Sequence, residues 1–206
     1  MTTRIKRKEH ITKTRRKQIL KAALSVFSSR GYGESTMADV AEAAGVGVGT
    51  LYNYYKNKRD LLISLVQKLL VSESLINILD KMSDQSSRDF MDSLLAERLE
   101  FGFGNAQNIL FLFFEIQRDP KLRHQYVQQV VAPLLARIED YICFQVRSGV
   151  FRKVDQRVIA RTMMGAIIGS IILYHLEQRD SPFRKANLKE ITGEISCLFM
   201  NGLVRK

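Results

Sequence analysis

The side chains that most often carry catalysis are scattered along this sequence. His10, His124 and His175 lie far apart, and no Glu-x-x-His pair accompanies them. No nucleophile stands beside a base and an orienting group, the arrangement that covalent catalysis requires. Cys143 and Cys197 have neither metal-ligand nor Cys-x-x-Cys spacing, so we expect small buried apolar residues in a reducing compartment. The sequence therefore predicts no enzyme activity, no metal and no cofactor.

Residues 47–55 contain a concentration of hydroxyl and amide side chains. Leu51 and Tyr55 stand one helical turn apart, and if they face inward, Gly49 and Asn53 lie on the opposite side. That side is flanked by three more hydrogen-bonding residues: Thr50, Tyr52 and Tyr54. Hydroxyl and amide groups arranged in this way can contact base edges or phosphates.

A capped helix and a tight turn precede this segment. Thr36 stands where an N-cap belongs, with Asp39 as its capping-box partner. Four apolar residues follow at helical spacing: Met37, Val40, Ala41 and Ala44. Gly45 occupies the position of a left-handed C-terminal residue, and Val46 is expected to pin the turn to the core. Two short helices around a glycine turn form a helix-turn-helix unit, whose second helix can enter a DNA major groove.

Positive charge is concentrated in the same part of the chain. The net charge is +11, and residues 1–60 hold 13 Lys and Arg against 5 Asp and Glu, which leaves only +3 for the remainder. Phosphate binding requires such a concentration. The N-terminal residues include Arg4, Lys6, Arg7 and Lys8, which either add minor-groove or phosphate contacts or form a solvated tail.

The remaining pattern is helical nearly throughout, with about nine helices in all. We expect a disordered arm over residues 1–10 and, besides the two motif helices, helices over 14–30, 56–79, 88–103, 106–117, 121–147, 155–178 and 186–204. Pro133 should kink or split the segment 121–147, and Gly102 and Gly104 should separate two others. No secretory signal is visible, and the longest uncharged apolar run, 162–176, falls short of the ~20 residues that span a bilayer. We therefore expect a soluble cytoplasmic protein with no membrane partner.

Residues 15–62 resemble the DNA-binding head of the TetR (tetracycline-repressor) family of bacterial regulators. The resemblance is carried by Ile19, Leu20, Ala22, Ala23, Phe27, Gly31-Tyr32, Ser35-Thr36, Val40-Ala41, Ala44-Gly45-Val46, Gly49-Thr50-Leu51-Tyr52, Tyr54-Tyr55, Lys58 and Leu61-Leu62. It implies an all-α protein with a three-helix DNA-binding head over 1–55 and a helical ligand-binding and dimerisation body over 56–206. It also implies a set of contacts to phosphates (Thr36, Tyr52, Lys58) and to the groove (Val48, Gly49, Thr50, Asn53, Tyr54).

Two residues depart from the family pattern. Gly47 stands where a capping Ser or Thr is usual, and Val48 where a polar or basic residue is common. The start of the recognition helix therefore offers few side-chain donors. Base recognition is expected to depend on Asn53, Thr50 and apolar contact with thymine methyl groups.

The last two predicted helices are unusually apolar. Gly165 and Gly169-Ser170 lie among methionines and isoleucines, and small residues at helical spacing permit close helix approach. Ile191, Ile195 and Leu198 belong to a second apolar stripe. These helices, at about 155–178 and 186–204, are expected to form a four-helix homodimer interface, with an ordinary monomeric core as the alternative.

The middle of the chain is rich in aromatic residues, and the family resemblance implies a ligand chamber there. Apolar walls with a few polar groups suit a small lipophilic ligand. The expected ligand contacts are Phe101, Asn108, Phe111, Glu115, Tyr141 and His175. Glu115 alternatively pairs with Arg118 or faces solvent.

The sequence thus predicts a ligand-responsive transcriptional regulator. The hypothesis is a repressor that binds a palindromic operator in double-stranded DNA as a dimer and is released by a small lipophilic inducer. The alternative is an architectural helical protein that binds DNA without sequence preference.

Overall fold

The computed structural model describes the backbone of residues 2–82 and 84–205, with side chains from residue 11 onward. The described residues form α-helices joined by short turns, and the only β-type pairing among them is a single bridge between Phe151 and Val204. The predicted all-α fold is confirmed. The chain divides into two compact units, which are described separately below.

The first unit comprises Met1–Leu70 and Phe111–Tyr126. Its helices are α1 (Thr2–Arg30), α2 (Met37–Ala43), α3 (Val48–Tyr54), α4 (Lys58–Leu70), the end of α6 (Ser87–Arg118) and α7 (Pro120–Tyr126). Helix α1 packs against α2 and α4, and α2 packs against α3. Their shared core contains fully buried apolar side chains, among them Ile19, Phe27, Val40, Leu51 and Leu61.

The second unit comprises Val71–Leu110 and Val127–Lys206. Its elements are α5 (Glu73–Asp80), the first part of α6, a π-helical turn (Val127–Val131), α8 (Ala132–Arg147), α9 (Gln156–Leu176), a 3-10 turn (Gln178–Asp180), α10 (Pro182–Lys185) and α11 (Leu188–Leu203). Helix α8 packs against α9 around a core that includes Phe90, Leu95, Tyr141, Met163 and Leu203. Asp155 and Asn187 cap α9 and α11, close to the predicted starts of these helices.

The expected disordered arm over residues 1–10 is wrong for the backbone of residues 2–10, which begins α1. This segment has no Gly or Pro, and the Lys, Arg and Glu residues that it contains are good helix formers. Met1 and the side chains of residues 2–10, including Arg4, Lys6, Arg7 and Lys8, lie outside the described part of the chain.

The expected single helix over 56–79 is also wrong. Helix α4 ends at Leu70, and α5 starts at Glu73 with Ser72 as its N-cap. The Ser72 hydroxyl accepts a hydrogen bond from the Leu75 amide at 2.9 Å, so a local side-chain bond replaces helix continuation. The segment expected to be kinked or split by Pro133 changes to a π-helical turn just before α8, and the proline is the second residue of that helix.

The break expected at Gly102 and Gly104 is absent, because α6 runs unbroken from Ser87 to Arg118. The structure gives Gly102 a packing role: a Cβ added there would lie 2.2 Å from Cδ1 of Ile171 on α9. The missing side chain at Gly102 leaves room for the end of the Ile171 side chain.

Helix α9 is longer than the uncharged run 162–176 suggested. At 21 residues it is, among the described helices, long and apolar enough by length and composition to cross a membrane. Helices α4 and α5 together would be a second candidate if counted as one bent span. Only 22% of the most apolar window of α9 is buried in the single chain.

Candidate nucleic-acid interface

Helix α2 begins with the predicted capping box. The Asp39 amide donates to the Thr36 hydroxyl at 3.1 Å, and the Thr36 amide donates to Oδ2 of Asp39 at 2.8 Å. The Thr36 hydroxyl itself donates to the same carboxylate oxygen at 2.7 Å, and Arg30 pairs with the other oxygen at 2.8 Å. These hydrogen bonds from Thr36, followed by the charge of Arg30, hold the pKa of Asp39 below its usual range.

The turn between α2 and α3 has the predicted glycine geometry. Gly45 has φ +60°, and the Val46 amide donates to the Ala41 carbonyl at 2.9 Å. The Gln18 side chain on α1 donates to the Ala44 carbonyl at 2.6 Å, which ties the turn to the first helix. Gly47 is the N-cap of α3 and supplies no side-chain cap, so the first amides of α3 receive no side-chain acceptor from their own cap.

Helix α3 presents the two faces that its sequence predicts. Leu51 is fully buried and Tyr55 nearly so. Val48, in the first turn of the helix, is 43% exposed, and Tyr52 is 51% exposed. Three more predicted contact residues are exposed (Gly49, Thr50, Asn53), and Tyr54 is half-buried. This surface has the size and shape of a recognition helix, while the individual DNA contacts stay predictions.

Two of the residues expected to contact phosphate have their donors engaged within the protein. Both Thr36 donors point to Asp39. The Lys58 ammonium donates to the carbonyls of Tyr32, Gly33 and Ser35 at 2.7, 3.1 and 2.7 Å. An ammonium has only three donors, so all of those on Lys58 are engaged within the protein in this structure, and its phosphate contact stays a prediction.

Sequence reasoning missed two exposed cations close to this surface. Arg16 on α1 lies near enough to Tyr55 to oppose the rise in the pKa of that tyrosine, a rise that burial causes. Lys56 is exposed in the turn that follows α3. The basic run Arg15-Arg16-Lys17 was the available signal for the first, but sequence alone does not say which of the three turns toward α3.

The six predicted ligand contacts are divided between the two units. Phe111 and Glu115 belong to the first unit, where the Glu115 side chain is largely buried and accepts from Nη1 of Arg118 at 3.1 Å, one of the alternatives stated for it. Phe101, Asn108, Tyr141 and His175 belong to the second. A shared ligand lining of these six residues stays a prediction.

Tyr141 is part of the core of the second unit. Its ring packs against Phe90 and Phe151, with centroid distances of 4.4 and 6.4 Å. Burial raises the pKa of Tyr141, and the nearby Ser87 and Gln145 side chains partly oppose this shift. These contacts assign Tyr141 an ordinary packing role in the described chain.

A polar cluster in the second unit was not found from the sequence. Oε1 of Glu97 accepts from the hydroxyls of Ser72 and Ser74 at 2.5 and 2.6 Å and from Nη2 of Arg98 at 2.6 Å. The Glu97 and Arg98 side chains are only 13% and 12% exposed, and Arg98 also stacks on the ring of Phe101. Burial opposes ionisation of Glu97, but these hydrogen bonds hold its pKa below the usual range. The sequence signal for this cluster was the pair of adjacent opposite charges, Glu97 and Arg98, among apolar residues of α6.

Comparison with known proteins identifies the part of the chain that carries α3. Residues 19–65 match the model of "Bacterial regulatory proteins, tetR family". The chain is also similar to the transcriptional repressor KstR of Mycolicibacterium smegmatis, with 52% identity over 50 residues, or 24% of each protein.

Full-length similarity is more distant. The chain is 21% identical to the fatty acid metabolism regulator protein of Bacillus subtilis over 195 residues, which cover 92% of this chain and 95% of that protein. The fold is similar to that of the transcriptional regulator FadR from Bacillus subtilis, solved in complex with stearoyl-CoA, with a TM-score of 0.73 and 22% identity. That match covers 90% of this chain and 97% of the other. Residues 19–65 belong to the tetR family of bacterial regulatory proteins, and the chain is a transcriptional regulator, not an enzyme.

Proposed function

We propose that this regulator is a cytoplasmic repressor that binds a palindromic operator in double-stranded DNA as a homodimer. A lipophilic ligand releases it from the operator. Residues 1–55 serve DNA binding, and residues 56–206 serve ligand binding and dimerisation. The observation that carries the DNA-binding part is the two-faced helix α3, with Leu51 buried and an exposed opposite face inside the family-matched segment.

The proposed DNA contacts follow from that face. Five residues of α3 contact bases in the major groove (Val48, Gly49, Thr50, Asn53, Tyr54). Tyr52 donates to a phosphate, and Arg16 and Lys56 add charge beside it. Thr36 reaches a phosphate only by redirecting its hydroxyl hydrogen away from Asp39.

Binding to genomic fragments that flank the coding region tests this directly. We expect one fragment to bind at least about 10³ times more tightly than random DNA at the same salt concentration. Equal affinity for both would instead favour the non-specific architectural alternative. The salt concentration has to be fixed, because phosphate contacts make affinity steeply salt-dependent.

The proposed ligand class is a long-chain fatty acyl thioester of coenzyme A. Support comes from the full-length relative that regulates fatty acid metabolism and from the similar structure that holds stearoyl-CoA. The apolar acyl group of such a ligand suits the aliphatic and aromatic side chains in the middle of this protein's sequence. We expect stearoyl-CoA to dissociate the operator complex, while free coenzyme A and free stearate act weakly. A ligand acts this way only if it binds the DNA-competent state less well. No response to acyl-CoA of any chain length would refute this ligand class.

The proposed dimer interface consists of the exposed faces of α9 and α11. Val158, Leu173 and Leu176 are exposed along α9, and Leu198 on α11 is 76% exposed. A Cβ added at Gly165 or Gly169 on the same side of α9 would meet nothing within 4 Å. An apolar helix face with two small residues fits a second helix at close range, and two such helices per subunit can form a four-helix interface. Sedimentation of the purified protein with and without detergent separates a dimer from a membrane-associated form.

A further inference from the structure

The Lys58 side chain ends among backbone oxygens of one short loop. Its Nζ lies 2.7 Å from the Tyr32 carbonyl, 3.1 Å from that of Gly33 and 2.7 Å from that of Ser35. The Tyr32 ring centroid lies 4.5 Å from the same atom, within the range of a cation–π contact. Every N–H of the ammonium therefore has an acceptor within the chain.

The position of Lys58 in its helix makes this arrangement unusual. It is the first residue of α4, where the positive end of the helix dipole disfavours a cation. Other residues cap this helix: Asn57 accepts from the Asp60 amide at 2.9 Å, and Asp60 accepts from the Lys56 amide at 2.9 Å. Burial lowers the pKa of Lys58, and the negative charges of Glu34 and Glu115 oppose this shift.

The loop that Lys58 holds leads directly to the helix-turn-helix. It begins at Gly31, which has φ +82°, and ends at Thr36, the N-cap of α2. Within it, the buried Ser35 donates its hydroxyl to the Gly31 carbonyl at 2.5 Å. Because α3 packs on α2, the loop fixes where the recognition helix stands relative to α4.

We propose that Lys58 is a positioning residue that fastens the loop between α1 and α2 to the start of α4, and that it makes no phosphate contact. The proposal rests on the proposed DNA-binding function. It predicts that losing Lys58 weakens DNA binding by loosening the head, since affinity falls with the populated fraction of the binding-competent state.

The test compares two substitutions that remove the same charge. Lys58→Met removes the three donors but keeps an unbranched side chain, and Lys56→Met is its matched control at an exposed site two residues earlier. For Lys58→Met we expect Tm to fall by roughly 5 °C, because hydrogen bonds from a charged group are lost. We expect the operator Kd to rise about tenfold at every salt concentration, with the slope of log K against log salt unchanged.

Lys56→Met should behave in the opposite way. Its Tm should stay within about 1 °C of the original, as is usual for exposed surface positions. Loss of one phosphate contact should reduce the salt slope by about one unit. A reduction of one unit in Lys58→Met, with Tm unchanged, would refute the positioning role and restore the phosphate contact.

Lys58→Arg provides a second test of the positioning role, which can also be used if Lys58→Met does not fold. A guanidinium binds phosphate at least as well as an ammonium, but its donors spread in a plane and do not match three converging carbonyls. We therefore expect a lower Tm and faster hydrogen exchange at the amides of residues 32–36. Full retention of Tm, exchange protection and operator affinity in Lys58→Arg would overturn the proposal. These two stability readouts need no operator, so they separate failure of this inference from failure of the proposed DNA-binding function.

Discussion

The exposed faces of α3 and α9 differ in what they leave open to solvent. The face of α3 presents hydroxyl and amide groups beside glycines. The capping box of α2 and the contact of Lys58 with the loop before α2 hold the surrounding structure by hydrogen bonds within the chain. The face of α9 presents Val158, Leu173 and Leu176 around two glycines, and the exposed Thr162 on that face donates its hydroxyl to the Val158 carbonyl. A polar, rigidly held face suits a hydrated and charged partner, whereas an apolar face suits another protein surface that excludes water.

The largest expected effect comes from placing a charge on the apolar surface. Leu198→Arg should convert the dimer to a monomer, because a buried unpaired guanidinium costs more than the interface gains. Operator affinity should fall by at least about 100-fold, since one head then covers one half-site without the second. Sedimentation velocity measures the first change and fluorescence anisotropy the second. Val150→Arg, at another exposed apolar residue outside the helices, should change neither quantity. A dimeric Leu198→Arg would place the interface elsewhere.

A smaller effect is expected on the polar surface. Asn53→Ala should cost about 1–3 kcal/mol of discrimination at one base pair of each half-site, because its amide is lost as a base-edge partner. Binding to operator variants, measured by competition, should show relaxed preference at that position only. Oligomeric state should not change. A uniform loss across all base pairs would mean that Asn53 contacts the backbone of the DNA.

The capping box of Thr36 and Asp39 is expected to affect only the stability of the DNA-binding head. Thr36→Ala should lower the free energy of unfolding by about 1 kcal/mol, as loss of an N-cap does. Thr36→Ser retains the hydroxyl and should recover most of this difference in urea denaturation. An equal loss in both variants would show that the methyl group, and not the hydroxyl cap, carries the stabilisation.

The smallest effect concerns pH. Folding lowers the pKa of Asp39, so its contribution to stability is complete above the unfolded pKa and is lost as the pH falls through the folded value. Asp39→Asn should therefore be less stable than the original protein at neutral pH, and the difference should shrink below about pH 4. A difference that persisted at pH 2 would assign the effect to hydrogen bonding alone and not to the charge.

Interactions between residues close in sequence account for much of the structure of the DNA-binding head. Thr36, Asp39 and Gly45 form their cap and turn with near neighbours, and Leu51 with Tyr55 sets the face of α3 by helical periodicity. Such features depend on residues within about one turn of each other.

The features that the sequence does not reveal depend on distant partners. The carbonyls that engage Lys58 belong to residues 32–35, and nothing in the spacing of the sequence announces them. Gly102 was interpreted as a break because its role is defined only by Ile171 on another helix. Ser72 was missed for a different reason: apolar residues on both sides of it continued the helical pattern, although its hydroxyl starts a new helix.

The contact at Gly102 has an evolutionary consequence. Any other residue there would bring its Cβ into the space that Ile171 occupies, so a substitution at 102 is acceptable only if position 171 becomes smaller or its side chain turns away. The two positions are therefore expected to covary among relatives that keep α6 and α9 at this separation. Where relatives carry alanine or a larger residue at the position equivalent to 102, a reduced side chain should appear at the position equivalent to 171.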